Sequence, residues 1–417
     1  MDSRQMVFKT LSDTLYHYDY RTNYISIVDA EPAEGDCFIQ YANPADISAL
    51  PNLDTFVIEM TRNCNLRCSY CCYSGAYRNN RKHEQTALTE GCMDRILDFI
   101  KANRKTGPVI IGFYGGESLL EFNLIQYCVE KAEAIWRKDV SFTLSTNGVL
   151  LNSNRIDWLV NHQVQLNISL DGCRVQHDKY RRTVGGKGSY DLIYSNLLHI
   201  KQSYPSYFES KVSLLMTLQS IDDLKEIAIE WQSDPLLSVK APAHISGLSP
   251  NYTIGEPVIN ENSKKRILYE LFDYYSAHPD NLVLRTFFSE RTDDFRYRSV
   301  FDLTDKNTMS TCLPNNRKCF IDVTGEIAVC EKMCDSYRIG NIDTGFDYVK
   351  INSMVRQMAD IRCKKCSNCS IARLCDTCLL ALDLSDEELA VSCENQRINT
   401  KLYMRLLCEL VECGLIQ

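Results

Sequence analysis

Between about residues 54 and 245, short apolar runs rich in β-formers alternate with stretches of helical period. The runs are TFVIEM (55–60), VIIGFY (109–114), SFTLS (141–145), VQLNIS (164–169), KVSLLMT (211–217) and LLSVKA (236–241). Strands separated by helices predict a parallel sheet, because parallel neighbours need a crossover between them. The intervening helices carry signals of their own. Thr89 stands at an N-cap position, and Met93, Ile96, Leu97 and Ile100 then share one face. Ser118 and Glu121 read as an S-x-x-E capping box that opens the next helix. Six such units predict an α/β fold, a partial (β/α)6 TIM-like barrel with its chemistry at the C-terminal ends of the strands.

The flanking pattern divides the rest. Residues 1–53 form a small β-rich segment with strands near 5–9, 14–19 and 23–28, either a hairpin ornament or a reduced peptide-docking element. The barrel occupies 54–245. Residues 246–310 read as a linker with helices, one of them around 263–276, 311–400 as a cysteine-rich domain, and 401–417 as a C-terminal helix.

Cysteine usage sharpens the picture. A chain of 417 residues has room for two or three domains, and twenty cysteines is far above ordinary usage. The opening MDSRQMVFKTLSD is polar, so no secretory leader is expected. No apolar stretch nears the ~20 residues of a membrane span. A cytoplasmic protein that uses its cysteines for metal or redox chemistry is therefore expected, not a disulfide scaffold. The net charge of −8, and a basic run (RNNRKH, 78–83) too short to form a stripe, argue against nucleic acid as a partner.

Cys64, Cys68 and Cys71 lie in one run, CNLRCSYC, just after the first strand. Three thiolates can hold three irons of a [4Fe–4S] cube, whose fourth iron stays open to a ligand that is not protein. Zinc is the plainer alternative, but it usually takes two C-x2-C-like pairs, and neither a second pair nor a His pair lies close by. Cys72 directly follows and counts as a bystander. After the second strand come Gly115, Gly116 and Glu117, where glycines let backbone approach a ligand and the carboxylate can accept from an ammonium group. The third strand ends in Ser145-Thr146-Asn147-Gly148 and the fourth in Ser169-Leu170-Asp171-Gly172. Each alone is an ordinary turn, yet they recur at successive strand tips. His177, Asp178 and Arg181 follow. Ten further cysteines lie between 312 and 393, including Cys366-x2-Cys369-x5-Cys375-x2-Cys378; a zinc ribbon is the alternative for these.

The C-x3-C-x2-C run, with Tyr70 before its third cysteine, resembles the radical S-adenosylmethionine (SAM) superfamily. The resemblance implies that the open iron binds the amino and carboxylate groups of SAM, which one electron cleaves to a 5′-deoxyadenosyl radical. It implies SAM contacts from Tyr70, from Gly115, Gly116 and Glu117, from Ser145, Asn147, Ser169 and Asp171, and from Arg181 or its neighbour Arg182. The C-terminal cysteine order resembles the SPASM extension, which binds two auxiliary [4Fe–4S] clusters. By that resemblance the near cluster uses Cys312, Cys330 and Cys378. Its fourth ligand is Cys319, with Cys334 and Cys363 behind it, or the position is open. The far cluster uses Cys366, Cys369, Cys375 and Cys393. One departure is visible, since the family spaces its last pair by three residues and Cys375 and Cys378 are separated by two.

SPASM-type relatives imply a maturase that abstracts hydrogen from a ribosomally made precursor peptide and forms a thioether, C–C or C–O crosslink. The rival is an anaerobic sulfatase-maturing enzyme making formylglycine. That subfamily places an aspartate directly after the cysteine matched by Cys330, where this chain has Glu331. A reading from another class is an iron–sulfur electron carrier without SAM chemistry. The implied partners are the precursor peptide and a flavodoxin- or ferredoxin-like reductant.

Overall fold

The computed structural model describes residues 6–31, 44–49, 52–75, 81–247, 258–298, 317–332, 337–375 and 377–416. By its contacts the chain forms two units, 47–254 with 314–351, and 1–46 with 255–313 and 352–417. In the second of these, strands β1 (Met6–Lys9), β2 (Leu15–Asp19) and β3 (Tyr24–Ile27) make an antiparallel sheet where three strands are expected.

The barrel strands are β4 (Thr55–Thr61), β5 (Val109–Gly115), β6 (Val140–Thr146), β7 (Gln165–Ser169), β8 (Val212–Leu218) and β9 (Pro242–Gly247). They pair in chain order, every pair parallel. Helices α1 (Glu90–Asn103), α2 (Phe122–Trp136), α3 (Ser153–Asn161), α4 (Arg174–Tyr180), α5 (Tyr190–Ser203), α6 (Pro205–Lys211) and α7 (Leu224–Ser233) fill the crossovers. On β6 and β7, Phe142, Leu144, Leu166 and Ile168 are fully buried, whereas Thr143, Ser145, Asn167 and Ser169 are half-buried. That alternation marks an apolar face under the helices and a polar face toward the lumen. Thr89 caps α1 as expected, its side chain accepting from Cys92 N at 3.3 Å.

Two local expectations fail. The run 236–241 is not the sixth strand: Asp234 Oδ1 accepts from Leu236 N and Leu237 N (2.8 and 2.9 Å), pinning a turn that buries both leucines. The strand begins instead at Pro242, tolerated because β9 is the sheet's edge. Nor do Ser118 and Glu121 form a capping box. They begin and end a short 3-10 turn capped by the Glu117 side chain, and Ser118 Oγ is buried with no hydrogen-bond partner among the described residues.

The sheet continues past β4 into the cysteine-rich region. Strand β10 (Lys318–Ile321) lies parallel to β4, and β11 (Glu326–Ala328), β12 (Arg338–Asn341) and β13 (Gly345–Phe346) follow antiparallel, giving ten strands. The other unit adds α8 (Glu261–Ala277), α9 (Leu282–Arg296), most of α10 (Tyr348–Lys365) and α11 (Asp386–Glu412). Asn260 and Asn281 cap α8 and α9, both within the 246–310 stretch. The Ser385/Glu388 capping box starts α11 well before residue 401. Met6, Phe8 and Tyr18 share one core with Phe295, Ile371, Met404, Leu407 and Cys408, so the N-terminal sheet braces the last helix and the cysteine loop around 371. No described helix is long and apolar enough to cross a membrane.

Candidate active site

The three-cysteine loop leaves the tip of β4 and is tied to the segment after α4. Arg67 N donates to Arg182 O (2.7 Å), Ser69 N to Tyr180 O (3.1 Å) and Val184 N to Asn65 O (3.2 Å). Cys64 Sγ accepts from Leu66 N and Cys71 Sγ from Tyr73 N, each at 3.4 Å, which favours thiolates. Burial pushes the Cys64 thiol up to about 12, with Glu117, Cys68 and Cys71 adding to the rise. Burial also raises Cys68, while Arg181 opposes it. Clustered thiols whose ionisation is disfavoured this way suit a cationic metal core, which supplies the missing positive charge. The residues present fit an iron–sulfur cluster.

Gly115 and Gly116 serve a different purpose from the one expected. A Cβ on Gly116 would stand 2.1 Å from Asn63 O, and one on Gly115, at φ +140°, would stand 2.4 Å from Thr61 O. The space that a ligand might have used holds the backbone leading to the cysteine loop, with Gly116 N and Glu117 N donating to Thr61 O and Asn63 O. The glycines thus set the loop's position. Gly116→Ala is expected to destabilise the fold by about 3 kcal/mol through overpacking, measured as a lowered urea midpoint; an unchanged midpoint would contradict this packing.

Glu117 is fully buried, accepting from Leu119 N (3.0 Å), Thr146 Oγ1 (2.7 Å) and Asn147 N (2.7 Å). Burial raises its carboxyl above the usual range, against the pull of those bonds and of Arg181. Three of about four acceptor positions are filled, leaving one for a cation. Asn147 Nδ2 donates to Asn65 Oδ1 (2.7 Å) and lies 3.8 Å from Cys64 Sγ, joining the β6 tip to the cysteine loop.

Arg181, not Arg182, faces the cysteines. Arg181 is buried, its Nη1 donating to Tyr70 Oη (2.5 Å) and lying 3.6 Å from Asp171 Oδ2; its Nε has no hydrogen-bond partner among the described residues. Tyr70 Oη donates to Asp171 in a short hydrogen bond, and Asp171 Oδ1 accepts from Thr217 N (2.9 Å). Arg182 donates instead to Asp178 O on an exposed surface. His177 is structural: its Nδ1 accepts from Asp171 N (3.2 Å), its Nε2 meets Ser189 Oγ (3.0 Å), and Ser189 Oγ donates to Arg181 O (3.0 Å). Burial, then the Arg181 charge, lowers its pKa to about 2. The unfolded chain takes up this proton near pH 6.5 and the folded chain does not. Stability is therefore complete above pH 6.5 and lost as pH falls, by up to about 1.4 kcal/mol per pH unit. In acid titrations of denaturant midpoints, His177→Gln should flatten that limb.

Ser145 and Ser169 lie on the half-buried lumen face of β6 and β7, where a strand-tip contact is expected. A further lumen network was not anticipated. Glu59, fully buried on β4, accepts from Arg81 Nη1 (2.9 Å), Tyr73 Oη (2.5 Å) and Arg62 Nε (3.3 Å), and Arg62 Nη2 donates to Asp322 (3.2 Å). The one visible signal is a glutamate inside the otherwise apolar run TFVIEM. Arg81 belongs to the basic run too short to form a stripe; it is buried, its Nη2 donating to Glu331 O (2.6 Å). Cys72 meets Cys71, Arg81 and Tyr114, and its thiol is lowered, chiefly by the hydrogen bond from Cys71.

The C-terminal cysteines separate clearly. Cys366, Cys369, Cys375 and Cys393 line one cavity, and the last three all raise the Cys366 thiol, after burial, to about 12. Cys319 is placed otherwise than expected. It is wholly buried and pairs with Phe56, opposite in the pleat to Phe320, whose ring meets Tyr114. Only burial shifts its thiol, upward, as suits a core cysteine. Cys363 is exposed, Cys330 is half-buried after β11, and Cys378 caps a 3-10 turn with Sγ accepting from Leu380 N (3.4 Å). Cys312 and Cys334 lie outside the described residues.

Three thiols on the loop at the tip of β4, beside a buried carboxylate and a buried arginine, are the donor set that an iron–sulfur barrel enzyme would need. Residues 58–229 match the model of the radical SAM superfamily, so the chain carries a radical SAM domain, and together with the similarities below this supports a radical SAM enzyme that is maturase-like. It is 23% identical over 338 residues to the cysteine-type anaerobic sulfatase-maturating enzyme of Clostridium novyi, covering 76% of this chain and 86% of that one. It is 25% identical to mycofactocin maturase MftC of Mycolicibacterium smegmatis, covering 70% and 68%. The structure of native anSMEcpe with bound AdoMet and Cp18Cys peptide has the same fold, with TM-score 0.63, 16% identity, and 87% and 99% of the two chains covered. The family's cofactors are SAM and [4Fe–4S] clusters, auxiliary clusters included in its SPASM-type members, and the fold is the partial barrel with a cysteine-rich SPASM region.

Proposed function

We propose that this enzyme matures a ribosomally made precursor peptide by joining two of its residues through a thioether, C–C or C–O bond. The observation that carries the reading is the three-cysteine loop set against Glu117 and the Tyr70–Asp171–Arg181 group at the barrel mouth. SAM on the cluster supplies hydrogen abstraction from an unactivated C–H bond, which side-chain acid–base chemistry cannot reach. The chain's own residues do the rest. Cys64, Cys68 and Cys71 hold the cluster, Glu117 offers its remaining acceptor position to the SAM ammonium, and the Nε of Arg181, without a hydrogen-bond partner among the described residues, offers a donor. Cys366, Cys369, Cys375 and Cys393 hold an auxiliary cluster. A one-electron donor of flavodoxin or ferredoxin type completes the system, and a peptide substrate agrees with the relatives named above as maturases.

Formylglycine formation is the second reading, favoured by the length of the match to the sulfatase-maturating relative. Glu331 would then take the place of that subfamily's aspartate; here it accepts from Lys318 Nζ at 2.9 Å. One experiment separates the two. The reconstituted enzyme is given SAM, reductant, and either a short Cys- or Gly-rich peptide encoded beside its gene or a sulfatase peptide carrying the modified cysteine. A loss of two hydrogens with no fragmentation between two residues supports crosslinking. An aldehyde at the cysteine supports the rival. SAM cleaved while both peptides stay unaltered would count against both.

A further inference from the structure

We infer that Arg362 tunes the far auxiliary cluster, supplying the buried positive charge and N–H donors that raise its reduction potential. Arg362 lies on α10, is 2% exposed, and lines the same cavity as Cys366, Cys369, Cys375 and Cys393. Its Nε and Nη2 are buried with no hydrogen-bond partner among the described residues. A guanidinium presents five donors and cannot shed its charge, and buried donors left without acceptors are costly. Such a group in a cage of four thiols implies an anionic occupant, and a cluster ligated by four thiolates is one. Its sulfurs would accept the donors that the protein leaves unmet.

The surroundings reinforce the sign. Lys365 and Arg397 also line the cavity, and among its described lining residues there is no carboxylate. Those two cations have carboxylate neighbours outside it, Lys365 with Asp386 (3.0 Å) and Arg397 with Glu394 (2.9 Å). Cluster potentials follow net charge, hydrogen bonds to sulfur and solvent exposure. A fixed cation with free donors favours the reduced, more negative cluster on the first two counts. Arg362 touches no substrate; it is a positioning and tuning residue, and its role rests on the reading that the four cysteines hold a cluster.

The test is a redox titration of the anaerobically reconstituted full chain, followed by electron paramagnetic resonance, with iron counted per chain. Cys393→Ala identifies the far cluster's wave as the one that disappears. Arg362→Met should shift that wave alone to lower potential by at least tenfold in the reduction equilibrium, which is 59 mV for one electron. Loss of about four irons from Arg362→Met, with Arg362→Lys keeping its full complement, supports the same charge role. If Arg362→Met does not fold, Arg362→Gln is read by the same criterion. An unmoved wave at full iron content overturns the inference, as does equal iron loss from the methionine and lysine variants. A wild-type protein in which Cys393→Ala removes no wave overturns the cluster assignment itself, and the inference with it.

Discussion

Replacing Cys64, Cys68 and Cys71 together by alanine is expected to lower iron from about twelve to about eight per chain and to abolish reductive cleavage of SAM. The loop's backbone is held independently of its sulfurs, by the bonds from Arg67, Ser69 and Val184 to their neighbours. The variant should therefore fold, and its far cluster should keep the redox wave of the parent. Cys64 is buried and Cys68 and Cys71 are half-buried, and the neighbouring thiols add to the ionisation cost of Cys64 and Cys68, so the loaded state depends on the metal core for its charge balance. Twelve irons in the variant, or 5′-deoxyadenosine formed by it, would show that the loop is not the SAM-binding site.

Glu117→Gln should weaken SAM binding about a hundredfold, about 3 kcal/mol, measured by titration calorimetry on the reconstituted protein. The exchange keeps shape and removes charge. It also turns an amide N–H₂ toward donors that now point at a carboxylate, namely Thr146 Oγ1, Asn147 N and Leu119 N. A fall in the thermal midpoint should accompany the loss of affinity. The two effects separate by temperature: at 10 °C the variant remains folded and SAM remains weakly bound. Unchanged affinity in a destabilised protein would restrict Glu117 to joining the tips of β5 and β6.

Much of this site is legible in the chain because it is local. The cysteine spacing, the Glu117 position and the Asn147 and Asp171 turns each lie at the end of a strand that its own residues predict. What escapes depends on partners remote in sequence. The GG pair looks like a ligand cradle, and only the fold shows Thr61 and Asn63 in that space. Cys319 sits among cysteines in sequence, yet the pleat of β10 turns it to the apolar face with Phe56. Arg81 and Glu59 are 22 residues apart and meet in the lumen, so neither announces the other. Arg362 reads as one more charge in the basic run RCKK, and only its burial beside four thiols gives it a role. The unit that joins residues 1–46 to 352–417 has no sequence signal at all, since its core arises from packing across the length of the chain.

On this account the barrel binds a SAM-cleaving cluster, and the C-terminal cysteines hold auxiliary clusters. The most direct measurement is anaerobic reconstitution, with iron and sulfide counted per chain and 5′-deoxyadenosine assayed after reduction with SAM present. About twelve irons, matching sulfide, and 5′-deoxyadenosine are the predicted result. Zinc in place of iron, or iron without SAM cleavage, would contradict it.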